Sequence, residues 1–136
     1  MKKIEHIGIA VKNLETSNSL FHKLLGVPSY KTELVESEGV KTAFYKVGEH
    51  KIELLEATTL DSPIAKFIEK RGEGIHHIAF EVDNLEAEIK RLKKEGFEII
   101  NENPKKGADN KRVVFLHPKS TQGVLVELCQ EIILKE

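Results

Sequence analysis

The 136-residue chain carries 21 Lys and Arg against 22 Asp and Glu, a formal net charge of −1, with 40% hydrophobic and 32% charged residues. That balance suits an ordinary soluble domain able to bury a core without staples, and it leaves no basic field for nucleic acid or an anionic membrane. The single cysteine, Cys129, excludes an intrachain disulfide, and the N-terminus shows neither a signal-peptide run nor a bilayer-length apolar stretch, so a cytoplasmic setting is expected.

Ile4 to Val11, rich in β-branched residues, reads as a strand. Asn13 is a natural N-cap for a helix to Leu25, with Leu14, Phe21, Leu24 and Leu25 as its apolar face and Gly26 past its end. Three strands follow at Ser29 to Val35, Val40 to Val47 and Lys51 to Leu55, with turns at Gly39 and Gly48-Glu49. Ser62-Pro63 opens a short helix to Arg71, closed by Gly72. The plan then repeats. Ile75 to Val82 is a strand, and Asn84 caps a helix carrying Leu85, Ile89 and Leu92 that stops at Gly96. Phe97 to Ile100, Arg112 to Leu116 and Val124 to Cys129 complete a second βαβββ module. The loop Asn101 to Lys111, long for a compact domain, is either functional or a solvated hairpin end. No linker divides the chain, so 1–136 is expected to form one α+β domain: module one over about 1–60, a connecting helix over about 62–72, and module two over about 74–136.

The repeat extends to residues that carry chemistry. Ile4-Glu5-His6-Ile7-Gly8-Ile9-Ala10-Val11 matches Ile75-His76-His77-Ile78-Ala79-Phe80-Glu81-Val82 (77 − 6 = 71), and Ile52-Glu53-Leu54-Leu55-Glu56 matches Val126-Glu127-Leu128-Cys129-Gln130 (127 − 53 = 74). Side chains alternate across a sheet. His6, Gly8 and Ala10 therefore share one face, and His77, Ala79 and Glu81 share the equivalent one. Glu53 and Glu127 obey the same parity, with Ile52/Leu54 and Val126/Leu128 turned to the helices. For one histidine, a hydrogen-bonded core position is the commoner explanation. A repeated pair of pairs on small-residue faces points instead to a divalent metal held by His6, Glu53, His77 and Glu127. Two nitrogens and two oxygens suit Co²⁺, Mn²⁺, Ni²⁺, Zn²⁺ or Mg²⁺, and leave octahedral positions open for a bidentate substrate. His22, His50, His76 and His117 are expected to be structural or solvated.

Over essentially its whole length the sequence resembles the methylmalonyl-CoA epimerases of the vicinal-oxygen-chelate (glyoxalase/bleomycin-resistance) superfamily. The segments that carry the resemblance are His6 to Glu15, Lys51 to Glu56, Asp61-Ser-Pro-Ile-Ala-Lys-Phe67, Arg71 to Phe80 with its Gly-Ile-His-His, and His117-Pro-Lys-Ser to Leu128. The resemblance implies two βαβββ modules forming a curved mixed sheet around a metal-containing cavity, with the metal on His6, Glu53, His77 and Glu127. It also implies Co²⁺ as the first ion to test, an acyl-CoA substrate and a homodimer. Some relatives have Gln where this chain has Glu53. Some also place a catalytic Glu in the third strand, where this chain has Thr42, which cannot remove a carbon-bound proton.

The implied reaction inverts the carbon between a thioester carbonyl and a carboxylate. It calls for enolate stabilisation and for one base on each face. Glu127 is expected as the first base and Glu53, its pseudo-symmetric mate, as the second. Lys119 and Ser120 are expected to hold the free carboxylate, and Lys66, Lys70, Arg71, Lys105 and Lys106 are further cations available for coenzyme A. The alternative is lactoylglutathione lyase (glyoxalase I), which shares the ligand set. A metal-free small-molecule-binding protein of the same fold fits the quartet less well.

Overall fold

The computed structural model describes residues 1–101 and 103–133; Glu102 of the long loop and the last three positions of module two lie outside them. Among the described residues the elements run β1 (Lys3–Ala10), α1 (Leu14–Leu25), β2 (Lys31–Val35), β3 (Val40–Val47), β4 (His50–Ala57), α2 (Pro63–Arg71), β5 (Gly74–Glu81), α3 (Leu85–Lys94), β6 (Lys105–Lys106), β7 (Lys111–Leu116) and β8 (Val126–Glu131). No helix among them is long and apolar enough to cross a membrane. Contacts group the chain into two compact units, His6–His76, and Met1–Glu5 with His77–Glu136.

In the first unit the strand order is β2-β3-β4-β1, antiparallel except for the parallel β1–β4 pair. One face carries Ile9, Val11, Ala43, Tyr45, Ile52 and Leu54, packed with Leu14, Phe21 and Leu25 of α1. Leu24, expected in that stripe, is 69% exposed; the arc of α1 that meets the sheet takes in Phe21 and Leu25 and leaves Leu24 outside it. The other face receives α2, whose Ile64, Phe67 and Ile68 pack on Ala10 and Leu55. Gly39 permits the approach of that helix's N-terminus. Its φ is +62°, and a Cβ there would meet Thr59 Oγ1 at 2.6 Å and the Ser62 Cβ at 2.9 Å.

The second unit repeats the plan with β5-β8-β7-β6. Lys2 N–H donates to the Glu81 carbonyl at 2.8 Å, and β5–β8 is again parallel. Val82, Val114, Leu116 and Leu128 meet Leu85, Ile89 and Leu92 of α3. The expected strand at Phe97 to Ile100 does not form. Phe97 N–H closes the end of α3 on the Leu92 carbonyl, and only a single bridge, Ile99 to Leu116, joins the segment to β7. The partner of β7 comes instead from the loop, as the two-residue β6. Asp109 and Asn110, both near φ +57°, make its tight turn (φ 58° and 56°).

The duplication is also visible at the helix starts. Asn13 and Asn84 cap α1 and α3 by accepting from Thr16 N–H and Ala87 N–H. One residue on, Leu14 N–H donates to Glu56 Oε2 at 2.7 Å and Leu85 N–H to Gln130 Oε1 at 2.9 Å. Each helix is thus fastened to the strand that bears its module's candidate glutamate ligand.

Candidate metal centre and active site

Strand register places the predicted residues in matching rows. In the first unit Glu53 lies between Gly8 of β1 and Phe44 of β3. In the second, Glu127 lies between Ala79 of β5 and Phe115 of β7. A carboxylate with a small residue on one side and a phenylalanine on the other therefore recurs in each module. The small residue leaves the carboxylate room, and the phenylalanine gives it an apolar neighbour. Phe44 is fully buried, and Phe115 stands edge-on to the His77 ring at 5.9 Å.

Each glutamate is beside its module's histidine. His6 Nδ1 is 3.0 Å from Glu53 Oε2, and His77 Nε2 is 3.5 Å from Glu127 Oε1. All four residues are between 4% and 6% exposed. Ionisable groups at that depth are costly unless paired or coordinated. Imidazole nitrogen with carboxylate oxygen is a donor set for a divalent cation of intermediate hardness, so the residues present fit such an ion. Among the described residues, the candidate metal-ligand groups are drawn from these four and Glu5.

Glu5, 2% exposed, was not a sequence-based candidate, because parity assigns it to the face opposite His6. Its one sequence signal is a carboxylate inside a strand of mostly apolar residues. Cys129 follows Glu127 on β8 and is completely buried, with its thiol donating to the Phe80 carbonyl at 3.5 Å. Burial first, then the Glu127 and Glu5 charges, push that thiol far above the usual range.

Lys119 and Ser120 sit in the turn before β8 and are engaged there. Lys119 Nζ pairs with Glu98 Oε2 at 2.8 Å, holding that carboxyl below its ordinary value. Ser120 Oγ donates to the His117 carbonyl at 2.8 Å and accepts from Glu98 N–H at 3.2 Å. His117 caps the same turn through Nδ1, which accepts from Lys119 N–H. His76 lies edge-on to Phe67 at 5.0 Å, and burial pulls its imidazole down to about 4. Thr42 is 1% exposed on β3, and Glu33 of β2 and Leu55 of β4 flank it.

The family model of the Glyoxalase/Bleomycin resistance protein/Dioxygenase superfamily matches residues 5–115. The chain belongs to that superfamily and has its α+β fold of paired βαβββ-type modules. Mitochondrial methylmalonyl-CoA epimerase of Homo sapiens is 41% identical over 129 residues, covering 94% of this chain and 73% of the human protein. Ethylmalonyl-CoA/methylmalonyl-CoA epimerase of Cereibacter sphaeroides is 40% identical over 130 residues, covering 94% of this chain and 97% of that protein. The solved structure of a Streptomyces coelicolor methylmalonyl-CoA epimerase variant in complex with 2-nitronate-propionyl-CoA has a TM-score of 0.93 at 33% identity, covering all of this chain and 99% of the other. Within the superfamily, this chain is a member of the methylmalonyl-CoA epimerase family.

Proposed function

We propose that the chain epimerises methylmalonyl-CoA, or a closely similar 2-alkylmalonyl thioester, at its α-carbon. The observation that carries this reading is the repeated buried His–Glu pair, His6 with Glu53 and His77 with Glu127, in a chain that belongs to the epimerase family. These four side chains would hold one divalent ion, with Co²⁺ the first choice in vitro and Mn²⁺, Ni²⁺, Zn²⁺ and Mg²⁺ compatible with the donors. When bound, that ion supplies Lewis-acid charge for the oxygens on either side of the acidic carbon.

The chain's own residues do the proton work. Glu127, ionised at the start, takes the α-proton on one face, and Glu53, its counterpart in the other module, starts as the carboxylic acid and delivers its proton to the opposite face, so that the two exchange protonation states in each turnover. Each carboxylate has a phenylalanine as its register partner on the neighbouring strand, an apolar neighbour for the base. Lys119 and Ser120 hold the free carboxylate of the substrate, at the cost of their bonds to Glu98 and His117. The protein works in the cytoplasm as a homodimer, and residues 1–136 act as a single domain.

Incubating the purified protein with one epimer of methylmalonyl-CoA, with and without a chelator, tests the reading. Metal-dependent loss of optical purity supports it. Conversion of the methylglyoxal–glutathione hemithioacetal instead would assign the chain to glyoxalase I, whose chemistry the same donor set serves. Glu53→Gln tests the second base: it retains metal and loses epimerisation, and full epimerisation by that variant would return the role to another group.

A further inference from the structure

Thr42 is a position where the two modules differ in a way the fold does not need. Its row in the first unit is Ala10, Leu55, Thr42 and Glu33; the equivalent row in the second is Glu81, Cys129, Val113 and Lys105. Val113, buried at 6% exposure, packs there with Ala79 and Cys129. Valine and threonine have nearly the same shape, so the architecture accepts an apolar β-branched residue at this place. Module one instead carries a hydroxyl, and nothing among the described residues bonds to it. Thr42 Oγ1 is a buried oxygen without a hydrogen-bond partner. A native fold tolerates such a group where a ligand or water satisfies it.

The position of Thr42 indicates which ligand. Thr42 and Phe44 share the β3 face that continues across Leu55 and Glu53 of β4 to Ala10 and Gly8 of β1, the same face as His6. The opposite face of β3 is closed by α1 through Ala43 and Tyr45. The hydroxyl therefore lies on the surface that bears the first unit's candidate metal ligands. α2 packs on Ala10 and Leu55 of its own row.

We propose that Thr42 is a substrate-binding residue, its hydroxyl donating a hydrogen bond to an acyl oxygen, carboxylate or thioester, of the thioester substrate. This rests on the epimerase reading above. A threonine hydroxyl is too weak a base to take the α-proton, so its part is to orient the acyl group. The geometry gives module one a hydroxyl where module two has the apolar side chain of Val113.

The test compares Thr42→Val, Thr42→Ser and the unchanged chain, all metal-loaded, for kcat/KM with methylmalonyl-CoA and for Tm without substrate. Thr42→Val installs the residue that the chain already uses in the equivalent row. It is expected to keep or raise Tm, because an unsatisfied hydroxyl is removed, while kcat/KM falls by about tenfold or more, the usual range for losing a hydrogen bond to a charged or polarised oxygen. Thr42→Ser keeps the donor and stays within about threefold, the rescue that separates hydrogen bonding from packing. Thr42→Val with undiminished kcat/KM would overturn the contact and leave the hydroxyl to water. Absence of turnover in the unchanged chain would instead defeat the epimerase reading, and this contact with it.

Discussion

Exchanging the acceptors at the two helix starts tests how each helix is fastened within its own module. Leu14 N–H and Leu85 N–H are first-turn donors with no intrahelical partner, and Leu14 and Leu85 are 5% and 0% exposed, so water cannot readily replace a lost acceptor. The Glu56 carboxylate makes a charge-assisted bond of 2.7 Å at the positive end of α1, whereas the Gln130 amide makes a neutral one of 2.9 Å at α3. Glu56→Ala should therefore cost about 1.5–3 kcal/mol and Gln130→Ala about 1 kcal/mol. Gln130→Glu keeps the acceptor, adds charge at the α3 N-terminus, and faces Arg112 directly across the β7–β8 pair, for a gain of about 0.3–1 kcal/mol. Urea unfolding at neutral pH and low salt, with unchanged m-values, would read these differences as shifts in midpoint. Equal losses from the two alanine variants, or a destabilised Gln130→Glu, would refute the reasoning that charge at the first turn separates the modules.

Cys129 is buried with a strongly raised thiol, so it should resist a thiol reagent in the native protein and react at once in denaturant; fast native labelling would contradict its placement. His76 is held to about 4 by burial, below its unfolded value near 6.5, so the unfolded chain binds the extra proton first. Stability is complete above pH 6.5 and declines as pH falls toward 4. His76→Phe should flatten that part of the curve, and an unchanged slope would show that other groups set it.

Much of this arrangement was legible in the sequence because strand parity is a strong constraint. Placing His6 and Glu53 on one face and Ile52 and Leu54 on the other agrees with Leu54 packing under α1 and Glu53 lying beside His6. Asn13, Asn84 and the Ser62-Pro63 start were readable for a local reason, since each cap acts within three residues. Longer-range choices were not. Phe97 to Ile100 has the composition of a strand, but the end of α3 claims its first N–H, and β6 takes the adjoining edge of β7. The match of Glu56 with Gln130 could be seen as repetition, whereas its use as a pair of helix-start acceptors needs the fold. Likewise, that Thr42 is buried without a partner depends on which neighbours the register supplies, and no pattern within β3 reveals it.

The most direct test of a metal-assisted, two-carboxylate epimerase is α-carbon hydrogen–deuterium exchange of methylmalonyl-CoA in D₂O, followed by NMR with Co²⁺-loaded protein. Exchange that requires the ion, stops on chelation and disappears in Glu127→Gln is the expected result. No exchange above the protein-free rate, with Co²⁺ shown to be bound, would contradict proton abstraction at this site.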